Sequence, residues 1–448
     1  MTLRYFGTDG IRGLALRPPL TLEDAARWGR AFGEVAAGQG VETLVLGWDP
    51  RLSSPPLARA FVAGLGRHVR VDILGMVPTP AVAWATARAN QGANQGANQG
   101  SGRAWGVMIS ASHNPPEDNG LKGFNGLGEK LGEAEEAAIE KAYGEGTWAE
   151  SMPADLAADP APVEAWLAHL GRLELPEAFP VVADCAHGAT APWAGRVLGG
   201  AVRWLGVPAD GARINVGVGS THLDLLQAEV RRSGAALGLA FDGDGDRCLF
   251  VDGEGGLVDG DQMLWLLALD RLEAGDPPPG VVGTVMSNGG LAEALAAKGI
   301  PFERTPVGDK FLLRRLAERG WDLAAEASGH VIQKRLGPSG DGLATALAVL
   351  QALLRRPDSQ RWSWRFQPWP LKLVNLRAAH RRPVEECPSL QAAVQGLEAT
   401  HGADLRLVIR WSGTEPKLRL MGEAKDAALL DAAMEALRHA AVADLGLA

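Results

Sequence analysis

The stretch Ala235-Ala-Leu-Gly-Leu-Ala-Phe-Asp-Gly-Asp-Gly-Asp-Arg-Cys-Leu-Phe-Val251 sets three carboxylates and an arginine between two apolar runs. Short continuous apolar runs fit strands of a sheet covered on both faces. The polar residues between them therefore sit at a strand end, where open α/β sheets bind their ligands. Asp242, Asp244 and Asp246 repel one another unless a cation absorbs their charge. Gly243 and Gly245 let the backbone curl so that all three oxygens turn inward. That describes a site for a hard divalent ion, Mg²⁺ in preference to Ca²⁺. With Arg247 beside it, the natural ligand is a phosphate. A calcium EF-hand loop also begins Asp-x-Asp-x-Asp, but it needs glycine at its sixth position and glutamate at its twelfth. Arg247 and Gly253 occupy those places.

The same layout, an apolar run followed by a polar turn, recurs outward in both directions. A strand over 43–47 ends in Trp48-Asp-Pro-Arg51, and a helix over 57–65 follows with a proline in its entry. Strand 69–74, helix 80–88 and strand 105–110 complete a first unit. A strand over 179–183 runs into Asp184-Cys-Ala-His-Gly-Ala-Thr190 and then a helix, and the aspartate run closes this second unit. Strand 281–285, a helix to 298, strand 321–325 and helix 343–354 make a third. The tail holds strands 404–409 and 417–422 and a helix 427–441, too little for a doubly wound sheet. The expected architecture is three similar α/β domains plus a smaller C-terminal α+β domain around a central cleft. Its boundaries are 1–155, 156–252, 253–362 and 363–448. Residues 148–162 read as a linker, and 355–370, rich in Arg, Trp and Pro, as a boundary near a hinge. The Gln-Gly-Ala-Asn repeat within 90–102 has no apolar anchor and reads as a surface loop.

Composition narrows the function. The chain has 448 residues, 46% of them hydrophobic, and a formal charge of −9. Its basic residues are dispersed, which argues against nucleic acid as a partner. Cys185, Cys248 and Cys387 are too far apart in sequence for a zinc motif or a disulfide framework. Neither an apolar leader nor a run long enough to span a membrane stands out, so no membrane is expected and a cytoplasmic location is.

Three further stretches carry chemistry. Ser110-Ala-Ser-His-Asn-Pro-Pro-Glu-Asp-Asn-Gly-Leu-Lys122 crowds two serines, a histidine and a lysine into one loop after a strand. It lacks the Gly-x-Ser-x-Gly elbow of an α/β-hydrolase. Beside a magnesium site a serine has another use: it can carry a phosphoryl group, whose oxygens would complete the cation's shell. Arg410-Trp-Ser-Gly-Thr-Glu-Pro-Lys-Leu-Arg419 frames a hydroxyl-rich turn with two arginines, a phosphate clamp without a Walker lysine. Glu326-Ala-Ser-Gly-His330 suits the hydroxyls or the amine of a sugar. Thr305-Pro-Val-Gly-Asp-Lys310 offers a second polar wall.

Together these motifs resemble those of the α-D-phosphohexomutases, and within them the bacterial phosphoglucosamine mutases. The opening Tyr5-Phe-Gly-Thr-Asp-Gly-Ile-Arg-Gly13 is similar to that subgroup's signature. Ser110-Ala-Ser-His-Asn-Pro115 resembles the phosphoserine loop, Asp242 to Arg247 the magnesium loop, Glu326 to His330 the sugar loop and Arg410 to Arg419 the phosphate loop. The matches run in order over almost the full chain. The resemblance implies Ser112 as the phosphorylated nucleophile, its phosphate joining Asp242, Asp244 and Asp246 around one Mg²⁺. Arg247 would steady the phosphoserine, and Arg12, His113 and Lys122 would line the reaction centre, Lys122 handling the proton. Glu326, Ser328, His330 and Asp309 would face the sugar. Arg410, Ser412, Gly413, Thr414 and Arg419 would grip the phosphate that is not transferred.

The implied activity is isomerisation of glucosamine 6-phosphate to glucosamine 1-phosphate through a 1,6-bisphosphate, which also primes the serine. It belongs to amino-sugar metabolism and peptidoglycan precursor synthesis, and a homodimer would be in keeping with the subgroup. Gly123-Phe-Asn125, Pro50 and Pro338-Ser-Gly-Asp-Gly342 depart from the subgroup's usual residues, which bears on the sugar rather than on the reaction. The main rival is a phosphomannomutase or phosphoglucomutase acting on neutral hexose phosphates. A phosphatase is disfavoured by the doubled phosphate recognition, and a non-catalytic sensor by the intact Ser112 and aspartates.

Overall fold

The computed structural model describes residues 3–7, 9–91, 103–145, 156–357, 361–378, 381–411 and 417–446. Three α/β units and a smaller α+β unit are present, as expected. The first three share one strand order at their centres. Arg70–Met76, Thr43–Trp48 and Ala104–Ile109 pair in parallel, and Asp118–Phe124 then runs antiparallel beside the last of them. In the second unit Val202–Leu205, Val181–Asp184 and Leu237–Phe241 are parallel and Cys248–Asp252 antiparallel. In the third Phe302–Thr305, Val281–Thr284 and Leu323–Ala325 are parallel and Val331–Gln333 antiparallel. The turn into the antiparallel strand is each time one of the polar motifs: 110–117, 242–247 and 326–330. In the fourth unit Leu405–Trp411 and Lys417–Ala424 are an antiparallel pair beside Leu371–Arg377.

The strands explain themselves by burial. Every residue of Thr43–Trp48, Ala104–Ile109 and Leu237–Phe241 is buried, because helices cover both faces of these sheets. The C-terminal sheet is covered on one side only, and Leu371 and Leu373 stay exposed on its edge strand. One hydrophobic cluster runs through the first three units. Val45, Leu74 and Phe124 join Trp166, Val181 and Leu239, and these join Val281, Leu323 and Leu347. Trp28, Phe32, Phe61 and Trp105 anchor a second cluster within the first unit. The C-terminal unit has its own, built on Leu390, Leu418, Leu420, Met434 and Leu437.

Several sequence expectations are corrected. The polar loop read as running to Lys122 ends earlier: Asp118–Phe124 is a strand, paired with both Gly10–Leu14 and Ala104–Ile109. Its polar residues hid it: Asn119 is buried against Ser53 and Ser54, and Lys122 against Asp244. The helix expected after Thr190 shrinks to Ala194–Val197, with turns before it. Gly10–Leu14, Leu22–Gly38 and Leu371–Arg377 were not foreseen. Within 355–370, read as a boundary, two aromatic residues find apolar surface to pack against. Trp364 and Phe366 are buried, and their carbonyls accept from Trp265 Nε1 at 2.6 Å and Gln262 Nε2 at 3.2 Å. Most of the Gln-Gly-Ala-Asn repeat lies outside the described residues.

Contacts between units hold the polar turns together. Gly342, at the start of helix Gly342–Arg355, donates its N–H to Gly245 O at 3.0 Å, and a Cβ there would lie 2.6 Å from Arg247 O. The cap of that helix, Asp341, accepts from Ala344 N at 2.9 Å and from Trp166 Nε1 of the second unit at 3.1 Å. Burial pushes its carboxyl up to about 6 from 3.8, against the pull of those donors. Folding therefore favours the protonated form. Its contribution is complete below 3.8 and is lost as pH rises through about 6, a change on the order of 3 kcal/mol. Asp341→Asn keeps a capping oxygen and cannot ionise. We expect its denaturant stability, relative to wild type, to improve between about pH 4 and about pH 7. Parallel pH profiles of the two proteins would contradict this.

Candidate active site

Ser112 begins the turn after strand Ala104–Ile109 with φ at 52°, and no part of it reaches solvent. Its N–H donates to Ser110 Oγ at 2.8 Å, and Ser110 Oγ donates to Asp49 Oδ2 at 2.6 Å. Its own hydroxyl donates to Asp242 Oδ2 at 2.5 Å, and His113 Nδ1 lies 3.4 Å away. The serine of the first unit and the aspartates of the second thus meet directly.

Asp242, Asp244 and Asp246 are all buried and can offer oxygens within 4.8 Å of one another. Thr79 Oγ1 donates to Asp244 Oδ2 at 2.5 Å, and Lys122 Nζ reaches the same oxygen at 2.7 Å. Lys122 also lies 3.4 Å from Asp246 and 3.2 Å from Asp9. Burial disfavours its charge, but Asp244, Asp9 and Asp246 outweigh burial and hold it firmly protonated. Burial also pushes Asp242 well above the usual carboxylate range, with repulsion from Asp246 and Asp244 adding to it. Asp246 goes the other way: burial is overcome by Lys122, His330 and Arg247. Asp244 Oδ1 and Asp246 Oδ1 are buried and accept no hydrogen bond from the described residues. An all-oxygen set with two orphaned buried acceptors fits a hard divalent cation.

Around the aspartates stands a ring of cations. Arg247 donates its N–H to Asp242 Oδ1 at 3.2 Å, and its Nε lies 3.7 Å from Asp246 Oδ1. Arg12 pairs with Asp9 and reaches Asn114 Oδ1 at 3.2 Å. His113 is pulled down to about 4, first by burial and then by Arg247 and Arg12, so it is neutral at pH 7. His330 Nδ1 lies 3.7 Å from Asp246 and Nε2 3.8 Å from Asp309. Burial would lower His330, yet the nearby carboxylates of Asp246, Asp309 and Glu326 raise it. Glu326 is fixed by Gly308 N at 2.9 Å, and Ser328 Oγ lies 3.3 Å from it. Arg12, His113, Arg247, Asp309, Glu326 and His330 line one cleft between the first three units.

Arg410 and Arg419 lie elsewhere. They are direct partners across Leu405–Trp411 and Lys417–Ala424, so both side chains leave one face of the sheet. With Lys417, Asn375 and Met286 they line a separate cavity of about 300 Å³ between the third and fourth units. Burial and the adjacent Arg419 both lower Arg410. Ser412, Gly413 and Thr414 lie outside the described residues.

Sequence reasoning missed several members of the site. Asp9 was quoted within the opening signature but given no role. Burial would raise it, yet Lys122, Lys130 and Arg12 together hold it well below the usual range. Lys130 bridges Asp9 and Asp309, the latter at 2.7 Å, and so ties the first unit to the third. Nothing in its local sequence marks it. Thr79 and Asn215 were likewise unmarked, and Arg51 was read only as one member of a polar turn at a strand end.

Four family models match the chain in order. They are described as phosphoglucomutase/phosphomannomutase alpha/beta/alpha domain I over 3–150, domain II over 166–256, domain III over 259–363 and the C-terminal domain over 373–440. A phosphoglucosamine mutase of Xanthomonas euvesicatoria is 40% identical over 98% of both chains. Among solved structures, a phosphoglucomutase/phosphomannomutase family protein of Burkholderia thailandensis aligns with a TM-score of 0.79 at 24% identity, covering 99% of this chain and 98% of that one. The N-acetylphosphoglucosamine mutase of Aspergillus fumigatus, solved with GlcNAc-6P and magnesium, aligns at 0.61 with 17% identity, covering 98% and 96%. At these identities the two structures speak for the fold. Among the described residues no helix is long and apolar enough to cross a membrane.

Proposed function

Because this chain belongs to the phosphoglucomutase/phosphomannomutase family of isomerase-class phosphotransferases, we propose that it isomerises glucosamine 6-phosphate and glucosamine 1-phosphate. The observation that carries the reaction type is the buried Ser112 hydroxyl bonded to Asp242 within a cluster of three carboxylates. The observation that carries the sugar is the full-length likeness, at 40% identity, to enzymes that bear the phosphoglucosamine mutase name.

In this reading Ser112 carries the phosphoryl group. Asp242, Asp244 and Asp246, with the serine phosphate, would hold Mg²⁺, which supplies positive charge against the transferring oxygens when bound. Arg247 and Arg12 add fixed positive charge on the open side. The free hydroxyl of the hexosamine 6-phosphate attacks phosphorus, a new P–O bond forms, and the bond to Ser112 Oγ breaks. Lys122, held as ammonium, gives its proton to the departing serine oxygen and recovers one from the attacking hydroxyl. Glu326, Ser328, His330 and Asp309 orient the sugar. Arg410 and Arg419, with Ser412, Gly413 and Thr414, grip the phosphate that stays. The 1,6-bisphosphate then turns over, the other phosphate returns to Ser112, and the 1-phosphate leaves. The same bisphosphate primes an unphosphorylated serine. Cytoplasmic location and homodimerisation belong to this proposal.

Turnover of glucosamine, mannose and glucose 6-phosphates, measured with Mg²⁺ and a trace of sugar bisphosphate, tests it. Glucosamine 6-phosphate should have the highest kcat/KM, by at least about tenfold, since one polar contact is worth roughly that much. Preference for the neutral sugars would replace this reading by a phosphomannomutase or phosphoglucomutase.

A further inference from the structure

A residue other than glycine holds a positive φ only where its surroundings fix it there. At Ser112 those surroundings come from two domains. Arg51, wholly buried and paired with Asp49 at 2.8 Å, donates through one Nη2 to Ser112 O and Asn114 O, both at 2.9 Å. Asn215, on the stretch between Val202–Leu205 and Asp224–Ser233 of the second unit, donates through Nδ2 to the same two carbonyls, at 2.8 and 3.0 Å. Asn215 is itself left-handed, with φ at 61°, and its N–H is held by Ala186 O at 3.0 Å. Gly243 closes the other side: a Cβ there would lie 2.6 Å from Ser112 O and 2.7 Å from Asn215 Nδ2. The first unit alone supplies half of the clamp, and docking of the second completes it.

We infer that Asn215, acting with Arg51, is a positioning residue for phosphoryl transfer. It fixes the backbone that aims Ser112 Oγ at Asp242. It makes its contacts to main-chain oxygens rather than to any group assigned to substrate or cation. This rests on Ser112 being the phosphoryl carrier.

The test is Asn215→Ala in the full-length enzyme, assayed with glucosamine 6-phosphate, Mg²⁺ and glucosamine 1,6-bisphosphate. A misplaced nucleophile should lower kcat about ten- to a hundredfold and leave KM within about twofold. Phosphorylation of Ser112 by the bisphosphate, followed by mass spectrometry, should slow in parallel. Arg51→Lys keeps a charge but loses the planar fork and should shift kcat in the same direction. If alanine prevents folding, Asn215→Asp retains the shape without the N–H donors and carries the test. A wild-type kcat in a folded variant, or a loss confined to KM, overturns the inference. Absence of isomerisation and of serine phosphorylation in the wild-type enzyme would overturn the phosphoserine reading and this inference with it.

Discussion

Ser112→Ala is expected to lower isomerisation by at least about 10⁴-fold, the scale on which loss of an enzyme's covalent nucleophile is felt. The reason is chemical rather than structural. The hydroxyl bonds only Asp242 and His113 among the described residues, and both lie in the same centre. The left-handed backbone is held through the Ser112 N–H and C=O, which alanine keeps. The variant should therefore fold, keep its thermal stability within about 1 kcal/mol and fail to incorporate phosphate from a sugar bisphosphate. Intact-mass measurement reads that directly. Isomerisation that survives the substitution unchanged would mean that another group carries the phosphoryl.

Asp242→Asn should separate stability from activity just as cleanly. In the cation-free protein burial and two neighbouring carboxylates already push Asp242 toward its neutral form. Asparagine is close to that form in shape and charge, so the apo protein should lose little stability. With a bound cation the same position must be anionic. The variant should bind Mg²⁺ far more weakly and lose about 10²- to 10³-fold in kcat, the usual cost of removing one electrostatic stabiliser. Chelation of the wild type should produce a comparable loss that added Mg²⁺ reverses. Full activity of the variant under chelation would show that the aspartates serve another purpose. Asp244→Asn should behave differently, because Lys122 and Thr79 both depend on that carboxylate. Leaving Lys122 buried with a weaker partner costs stability as well as rate.

The contrast between these residues and the ones that escaped notice shows what a sequence makes visible. The Asp242 to Asp246 run is legible because like charges spaced by glycines between apolar strands have few physical excuses. Ser112 and the Arg410–Arg419 frame are legible for a related reason, since each packs several reactive groups into one turn. The three α/β units follow from apolar runs that alternate with helices. Lys130 is different: it is one lysine in an ordinary stretch, and only the fold brings it between Asp9 and Asp309. Asn215 acts on backbone carbonyls, which leave no trace in the side-chain pattern, and Arg51 shows in the sequence only as one member of a polar turn. Strand Asp118–Phe124 was concealed because Asn119 and Lys122 are buried, bonded to Ser53 and Ser54 and to Asp244, so alternation of apolar and polar residues no longer marks inside and outside.

The division of the apolar clusters has a bearing on how the molecule opens. Three domains share one continuous cluster, whereas the fourth closes over its own. Hydrogen exchange should accordingly resolve two cooperative blocks, with amides of Leu405–Trp411 and Lys417–Ala424 exchanging through an opening that leaves the Ser112 centre protected. A sugar phosphate held at one end by the Ser112 centre and at the other by Arg410 and Arg419 would join the two blocks. Ligation would then be felt as slower exchange in a domain that contributes nothing to the bond-making step.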